Sequence, residues 1–434
     1  MKSARILLPT FGSFGDIHPF LAIAHELQSR GHQPVIATSE LYRAKIESDG
    51  IAFYPIRPDL PPLEEWSSTI PRLMDTRSGT RYLFREVLMP ALRGAYEDLL
   101  PAAQNAAMIV THSIVFAGPL VAEKLNKPWL STALAPLSLW SAMDPPYPPG
   151  APLSEKLYDL PPAFHRNIKH FARRFSARWT TEVGPFRAEL GLPSAGHPLF
   201  EGAFSPQGVL ALFSRELAAP QADWPQNTIQ TGTCFYDKKG EFFGSSEFAG
   251  NLFPDIKKFL VSGEAPIVFT LGSAAVFDAQ HFYDSSLFAA QRLGKRAIFL
   301  IGQETNRPAC LPQNTDQFAA FEYAPYGELF SRACAVVHQG GAGTTAQVLR
   351  AGVPSLVMPY SHDQPDHAMR LQRLGVARVI AKPKYSLHRA AQALKTILDD
   401  SGYALRAKEI GLRVQKENGA RSAADAIENA LERA

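Results

Sequence analysis

Between His338 and Gln364 the chain reads HQGGAGTTAQVLRAGVPSLVMPYSHDQ, a run whose residue types suit the binding of an anion and of whatever that anion carries. His338 brings an imidazole. Gly340, Gly341, Ala342 and Gly343 make a turn almost without side chains, and Thr344 and Thr345 add hydroxyls where a helix opens. Free backbone N–H groups and the helix dipole at such a point attract negative charge, so the expected ligand is a diphosphate. Asp363 and Gln364 follow one strand later. A carboxylate beside an amide can read the stereochemistry of neighbouring hydroxyls. Ser273, closing Leu271-Gly272-Ser273, is a further candidate phosphate contact or a plain helix cap.

The elements that hold these residues are legible in the apolar runs. Ala333–Val337 reads as a buried strand that ends at His338, Gly352-Val353-Pro354 stops the helix, and Leu356-Val357-Met358 is the next strand. The chain begins in the same way. Ile6-Leu7-Leu8 leads to a turn with Gly12, Ser13, Gly15 and Asp16, then to a helix with apolar Phe20, Leu21, Ile23, Ala24 and Leu27, and then to the strand Val35–Thr38. That is a βαβ unit, which implies a parallel sheet. Further strands are expected at 108–110, 129–131 and 209–212. A second series runs through 267–273, 297–301, the His338 unit and 376–380. The fold class is therefore α/β with two doubly wound domains, 1–228 and 229–415, and a helical tail, 416–434. The connection is expected between Trp224 and Asn251, a stretch rich in glycine and serine.

Size and composition agree. A chain of 434 residues accommodates two domains of about 200 residues each. A net charge of +3 is too small to point to nucleic acid. Cys234, Cys310 and Cys334 lack metal or disulfide spacing and suit a reducing cytosol. No signal-peptide core opens the chain and no run is long enough for a membrane span, so a cytoplasmic location is expected.

The motifs carry a resemblance. HQGGAGTT…RAGVPSLVMPYSHDQ is similar to the donor-binding signature of sterol and antibiotic glycosyltransferases, and PTFGSFGDIHPFLAIAHELQSRGH is similar to their acceptor-side turn. SPQGVLALFSRELAAPQADWPQNTIQTG resembles the rhamnolipid rhamnosyltransferases. The chain thus resembles family 1 glycosyltransferases of the GT-B fold. The resemblance implies inverting, metal-independent transfer of a hexose, rhamnose or glucose, from a dTDP- or UDP-sugar to a hydroxyl of a lipophilic acceptor such as a hydroxy fatty acid, phenol, sterol or polyketide. The nucleotide sugar is a co-substrate, and no cofactor is expected. The absence of any D-x-D triplet agrees with metal independence. The resemblance also implies that the last helix, beyond Gln415, crosses back to the first domain.

On this resemblance Asp16 is the general base, since relatives carry His or Asp at that turn; its structural alternative is a helix cap. His18 is the second candidate, but it lies about 200° further round an ideal helix. Plant-type relatives pair a His base with an Asp about 100 residues on. Residues 107–122 hold no carboxylate, which favours Asp16 acting alone and leaves His18 to packing or the acceptor pocket. Tyr323-Ala324-Pro325 resembles the base-binding turn. Ala346 stands where the plant signature has a ribose-binding Glu, which leans towards dTDP without excluding UDP.

Residues 164–178 form a basic amphipathic segment with Phe164, Ile168, Phe171 and Phe175 on one face. Such a helix can rest weakly on an anionic membrane or pack its Phe face on the core. Loops such as 136–150, rich in Pro, Trp and Tyr, suit a lipophilic acceptor. Competing readings are a nucleotide-sugar epimerase of the same architecture, a nicotinamide oxidoreductase and an inactive binding protein. Neither glycine turn is a good G-x-G-x-x-G with an acidic ribose ligand, which weighs against nicotinamide.

Overall fold

The computed structural model describes residues 3–61, 65–237 and 254–433. The first lobe is built on seven strands: β1 (Arg5–Pro9), β2 (Gln33–Thr38), β3 (Ala52–Pro55), β4 (Met108–His112), β5 (Trp129–Ala133), β6 (Val209–Ala211) and β7 (Thr228–Gln230). The second holds six: β8 (Ile267–Thr270), β9 (Ala297–Leu300), β10 (Phe318–Phe321), β11 (Ala335–His338), β12 (Ser355–Val357) and β13 (Ala377–Val379). The orders are β3-β2-β1-β4-β5-β6-β7 and β10-β9-β8-β11-β12-β13. Neighbours pair in parallel, as in β1 with β4 and β8 with β11.

Central strands such as β4 and β8 are buried along their whole length and show in the sequence as continuous apolar runs. The sequence reading missed β3, β7 and β10. All three are edge strands, only partly buried, and so lack such a run. Strand β7 straddles the expected domain boundary at 228. Of the expected connection, Gly240, Gly244, Ser245, Ser246 and Gly250 lie outside the described residues.

The strand order reverses between β1 and β4 and again between β8 and β11. Crevices beyond the carboxyl ends of strands at such points are where open α/β sheets take ligands. The Asp16 turn follows β1, the Ser273 turn follows β8, and His338 ends β11. The terminal helix Gly419–Glu432 returns to the first lobe. Ala423, Ala424 and Ile427 share a core cluster with Ile23 and Leu27, and Arg30 binds both Asp425 and Glu428 at 2.6 Å.

A second bridge joins the lobes. The loop after β5 leaves the first lobe and docks on the helix Gln364–Arg373. The Tyr147 N–H donates to Asp366 at 2.9 Å, and fully buried Arg370 binds Asp366 at 2.9 Å and also Asp144. Arg373 adds a contact to Asp144 at 2.7 Å. The 136–150 loop, expected to suit a lipophilic acceptor, thus only partly faces the cleft between the lobes. Leu137, Trp140, Pro148 and Pro149 face the cleft, while Asp144 and Tyr147 fasten the lobes together.

Candidate active site

Between the lobes lies a cavity of about 1030 Å³. On the first-lobe side it is lined by Gly12, Ser13, Gly15, Asp16 and His18, together with His112 and Ser113 from the end of β4. The second lobe contributes Ser273, Tyr323, Gly341, Ala342, Gly343, Thr344, Asp363 and Gln364. Ala324, His338, Gly340 and Thr345 do not line it; the side chains of Ala324, His338 and Thr345 are buried behind the turn. The two glycine turns nearly touch: a Cβ added to Gly343 would lie 3.7 Å from the Gly15 Cα. Two helix amino ends, Phe14–Ser29 and Ala342–Ala351, therefore converge on one space, and both dipoles favour negative charge there.

Asp16 is held from three sides. Ser13 caps the first helix and Asp16 is the acidic member of a capping box, its Oδ2 accepting from the Ser13 N–H at 2.8 Å. The structural and catalytic readings of Asp16 thus share one carboxylate. Gly12 has φ 137°, and a Cβ there would stand 2.2 Å from Asp16 Oδ2, so the turn needs glycine. The other oxygen, Oδ1, lies 3.6 Å from His112 Nε2. Since His112 Nδ1 accepts from the Ile114 N–H at 3.2 Å, Nε2 carries the proton of the neutral ring. Asp16 thus has an imidazole beside it at the end of β4, where the sequence reading, seeking a carboxylate partner for a His base and finding none, expected Asp16 to act alone.

His18 is a stacked ring, 5.1 Å from Phe14 and 4.8 Å from Tyr236. Burial and the nearby Lys45 ammonium lower its pKa to about 4, so it is neutral.

The second-lobe turn is pinned at Gly340. Its N–H donates to His338 Nδ1 at 3.0 Å, and its carbonyl accepts from His367 Nδ1 at 2.8 Å. Burial, and then His367, lower the His338 pKa to about 3, so that ring is neutral with its proton on Nε2. His338 Nε2 has no hydrogen-bond partner among the described residues. His367 escaped the sequence reading. Its only signal is its place one helical turn after Asp363. Gln364 accepts from the Tyr360 N–H at 3.0 Å, which aims its amide nitrogen towards the cleft and Met74. Asp363 is shifted upward by burial and, across the cleft, by Asp16. Tyr326, also unforeseen, lines the cavity beside Tyr323, its hydroxyl 2.9 Å from Thr270 Oγ1. Among the described residues no group of His, Cys, Asp and Glu could hold a metal ion, and no helix is long and apolar enough to cross a membrane.

Residues 6–132 match the profile of the glycosyltransferase family 28 N-terminal domain, and residues 297–432 that of the erythromycin biosynthesis protein CIII-like C-terminal domain. The chain is 30% identical to O-mycaminosyltylonolide 6-deoxyallosyltransferase of Streptomyces fradiae, over 98% of this chain and 97% of the relative. The chain belongs to the family 1 glycosyltransferases. Similarity to sterol 3-beta-glucosyltransferase of Leptosphaeria maculans is 26% over 99% of this glycosyltransferase, which spans 29% of that longer relative. Among solved structures, the glycotransferase of kitacinnamycin aligns with a TM-score of 0.70 at 19% identity, over 99% of this chain and 100% of that one. The glycosyltransferase VinC in complex with dTDP aligns at 0.67 and 17%, with the same coverage. These structures share the GT-B fold of this glycosyltransferase. Membership of the family sets aside the epimerase and nicotinamide readings.

Proposed function

We propose that this glycosyltransferase moves a hexose, with inversion, from a dTDP- or UDP-sugar to a hydroxyl of a lipophilic acceptor, with Asp16 as general base. One observation carries the reading: a fixed carboxylate and a glycine turn at a helix amino end stand on opposite walls of one cavity. The diphosphate lies on the turn, where backbone N–H groups stabilise the charge that grows on the leaving oxygen. The sugar reaches Asp363 and Gln364. The acceptor hydroxyl sits between Asp16 and the anomeric carbon. As it attacks, its proton passes to Asp16 Oδ1 and the bond to the diphosphate breaks on the far side. This single displacement inverts the centre.

Phe11, Trp66, Ile70, Phe84, Trp140 and Phe200 are among the first-lobe residues of the cavity wall, which favours a large apolar acceptor. The relative's name, a 6-deoxyallosyltransferase, and the dTDP held by VinC support a dTDP-linked deoxysugar such as rhamnose; the sterol relatives, named as glucosyltransferases, support glucose as the sugar. Ala346 lines the cavity where the resemblance would place a ribose-binding Glu, and so leans towards dTDP. Helix dipoles supply the positive field, and the proposed reaction needs no metal. The deciding experiment is a panel of nucleotide sugars with hydroxylated lipophilic acceptors in the presence of a chelator, read by mass spectrometry. Exclusive use of GDP- or CMP-sugars, or a strict need for a divalent ion, would overturn the proposal.

A further inference from the structure

The helix Pro162–Ser176 is tied to the first lobe by its His165 and Ser176 sides, which are buried. Its Phe row does not pack on the core, contrary to one of the two sequence expectations. Phe164, Phe171 and Phe175 are 46%, 70% and 52% exposed. With Ile168 they occupy an arc of about 60° on the helix. Ile168, Phe171 and Phe175 also line the cavity, so the aromatic row forms part of its mouth. Arg174 and Arg178 lie beside the row, while Lys169, Arg166 and Arg173 lie towards the opposite face of the helix, and there is no acid between residues 160 and 181. Among the described residues only Arg173 of these has an acidic partner, Glu201 at 3.2 Å.

We propose that this helix docks the protein on an anionic lipid bilayer, with the Phe row at the headgroup boundary and Arg174 and Arg178 beside it on lipid phosphates. Charge complementarity selects this occupant. A second copy of the chain on the same face would bring two sets of unpaired cations together, which is repulsive. A flat aromatic row with two long flexible guanidinium groups beside it suits a fluid anionic surface, where each finds its own phosphate. Docking in this pose turns the cavity mouth towards the bilayer, so that a membrane-dissolved acceptor reaches the site without crossing water. That last use rests on the transfer reading above; the docking itself does not.

The test is flotation of the full chain, without donor or acceptor, on vesicles of phosphatidylcholine alone and of phosphatidylcholine mixed with phosphatidylglycerol. Binding is expected only with phosphatidylglycerol and should fade as salt rises. Arg174→Gln and Arg178→Gln should each weaken it about fivefold, and Phe164→Ser should weaken it as well. None of these three residues lines the cavity, so calorimetric binding of dTDP or UDP reports that each variant is folded. Three results would overturn the docking: no binding to the anionic vesicles at low salt; binding that the three variants leave unchanged; or sedimentation showing a dimer that Phe164→Ser dissociates. Failure of every nucleotide sugar to give transfer would sink the transfer reading and leave the vesicle result standing.

Discussion

Asp16 Oδ1 lies 3.6 Å from His112 Nε2, although the two residues stand far apart in the sequence. Sheet order brings them together. Strands β1 and β4 are hydrogen-bonded neighbours, with Ile6 opposite Met108 and Leu7 opposite Ile109. The turn after β1 and the last residue of β4 must then emerge side by side. The spacing is longer than a hydrogen bond, so His112 acts on Asp16 through its N–H dipole and by confining the carboxylate.

Asp16→Asn keeps the shape and the capping interaction but removes the proton acceptor. Turnover is expected to fall about 10²–10⁴-fold, while calorimetric affinity for dTDP or UDP stays within experimental error. His112→Ala should cost less, about tenfold in turnover, since the base survives and only its orientation loosens. A variant Asp16→Asn with near-normal turnover would remove Asp16 from the chemistry.

The glycine turn after β11 was readable as a structure because its parts are contiguous: one strand end, three glycines, one helix start and the Asp-Gln pair fall within the 27 residues from His338 to Gln364. The partner of Asp16 was not, because only strand order joins His112 to it. The same holds for the bridge at Arg370. Its ligands are Asp366, on the same helix face, and Asp144, in a loop whose prolines and aromatics suggested only an acceptor wall. The Phe row was visible as a pattern at helical spacing, but periodicity does not say whether an apolar face meets the core or a cavity mouth.

Stability should fall as the pH drops below neutrality. The folded state holds His18 at about 4 and His338 at about 3, against 6.5 for an ordinary histidine. Below 6.5 the unfolded chain takes up protons that the folded chain refuses, so these contributions are complete above 6.5 and are lost as the pH falls towards 4 and 3. Shifts of this size correspond to roughly 3 kcal/mol for His18 and roughly 5 kcal/mol for His338 when fully developed. For Asp49, burial acts upward but is outweighed by His25, Tyr236 and Lys45, which hold it at about 2; its contribution is lost only between 3.8 and 2. Thermal midpoints measured from pH 7 to 4 should decline. His18→Phe, which keeps the stack, should make the decline shallower; an unchanged slope would show that His18 is not protected from protonation.

Arg370 should be a stability residue of the closed two-lobe form. Removing it as Arg370→Met leaves Asp366 fully buried without its guanidinium. Stranding a buried charge typically costs about 3–5 kcal/mol. Asp144→Asn, at the partly exposed end, should cost well under half of that. Urea denaturation measures both. Equal, small effects would mean that the loop after β5 is not a working bridge.

The two imidazoles on Gly340 give the last prediction. Gly340 has φ 86°, and a Cβ there would lie 3.0 Å from the Gln364 carbonyl oxygen, so this turn is tightly sited against the helix that begins at Asp363 and Gln364. His367→Phe removes the N–H that holds the Gly340 carbonyl and leaves that buried oxygen unpaired. An unsatisfied buried acceptor costs about 1–3 kcal/mol, and where the turn relaxes to recover a partner, its N–H groups no longer converge on the diphosphate. Calorimetric affinity for dTDP or UDP should drop about tenfold or more. His367→Asn places an amide N–H where the imidazole Nδ1–H was, and should restore most of that affinity. A loss shared by Phe and Asn alike would point to packing of the ring. Full affinity in His367→Phe would mean that the turn holds its shape without this bond.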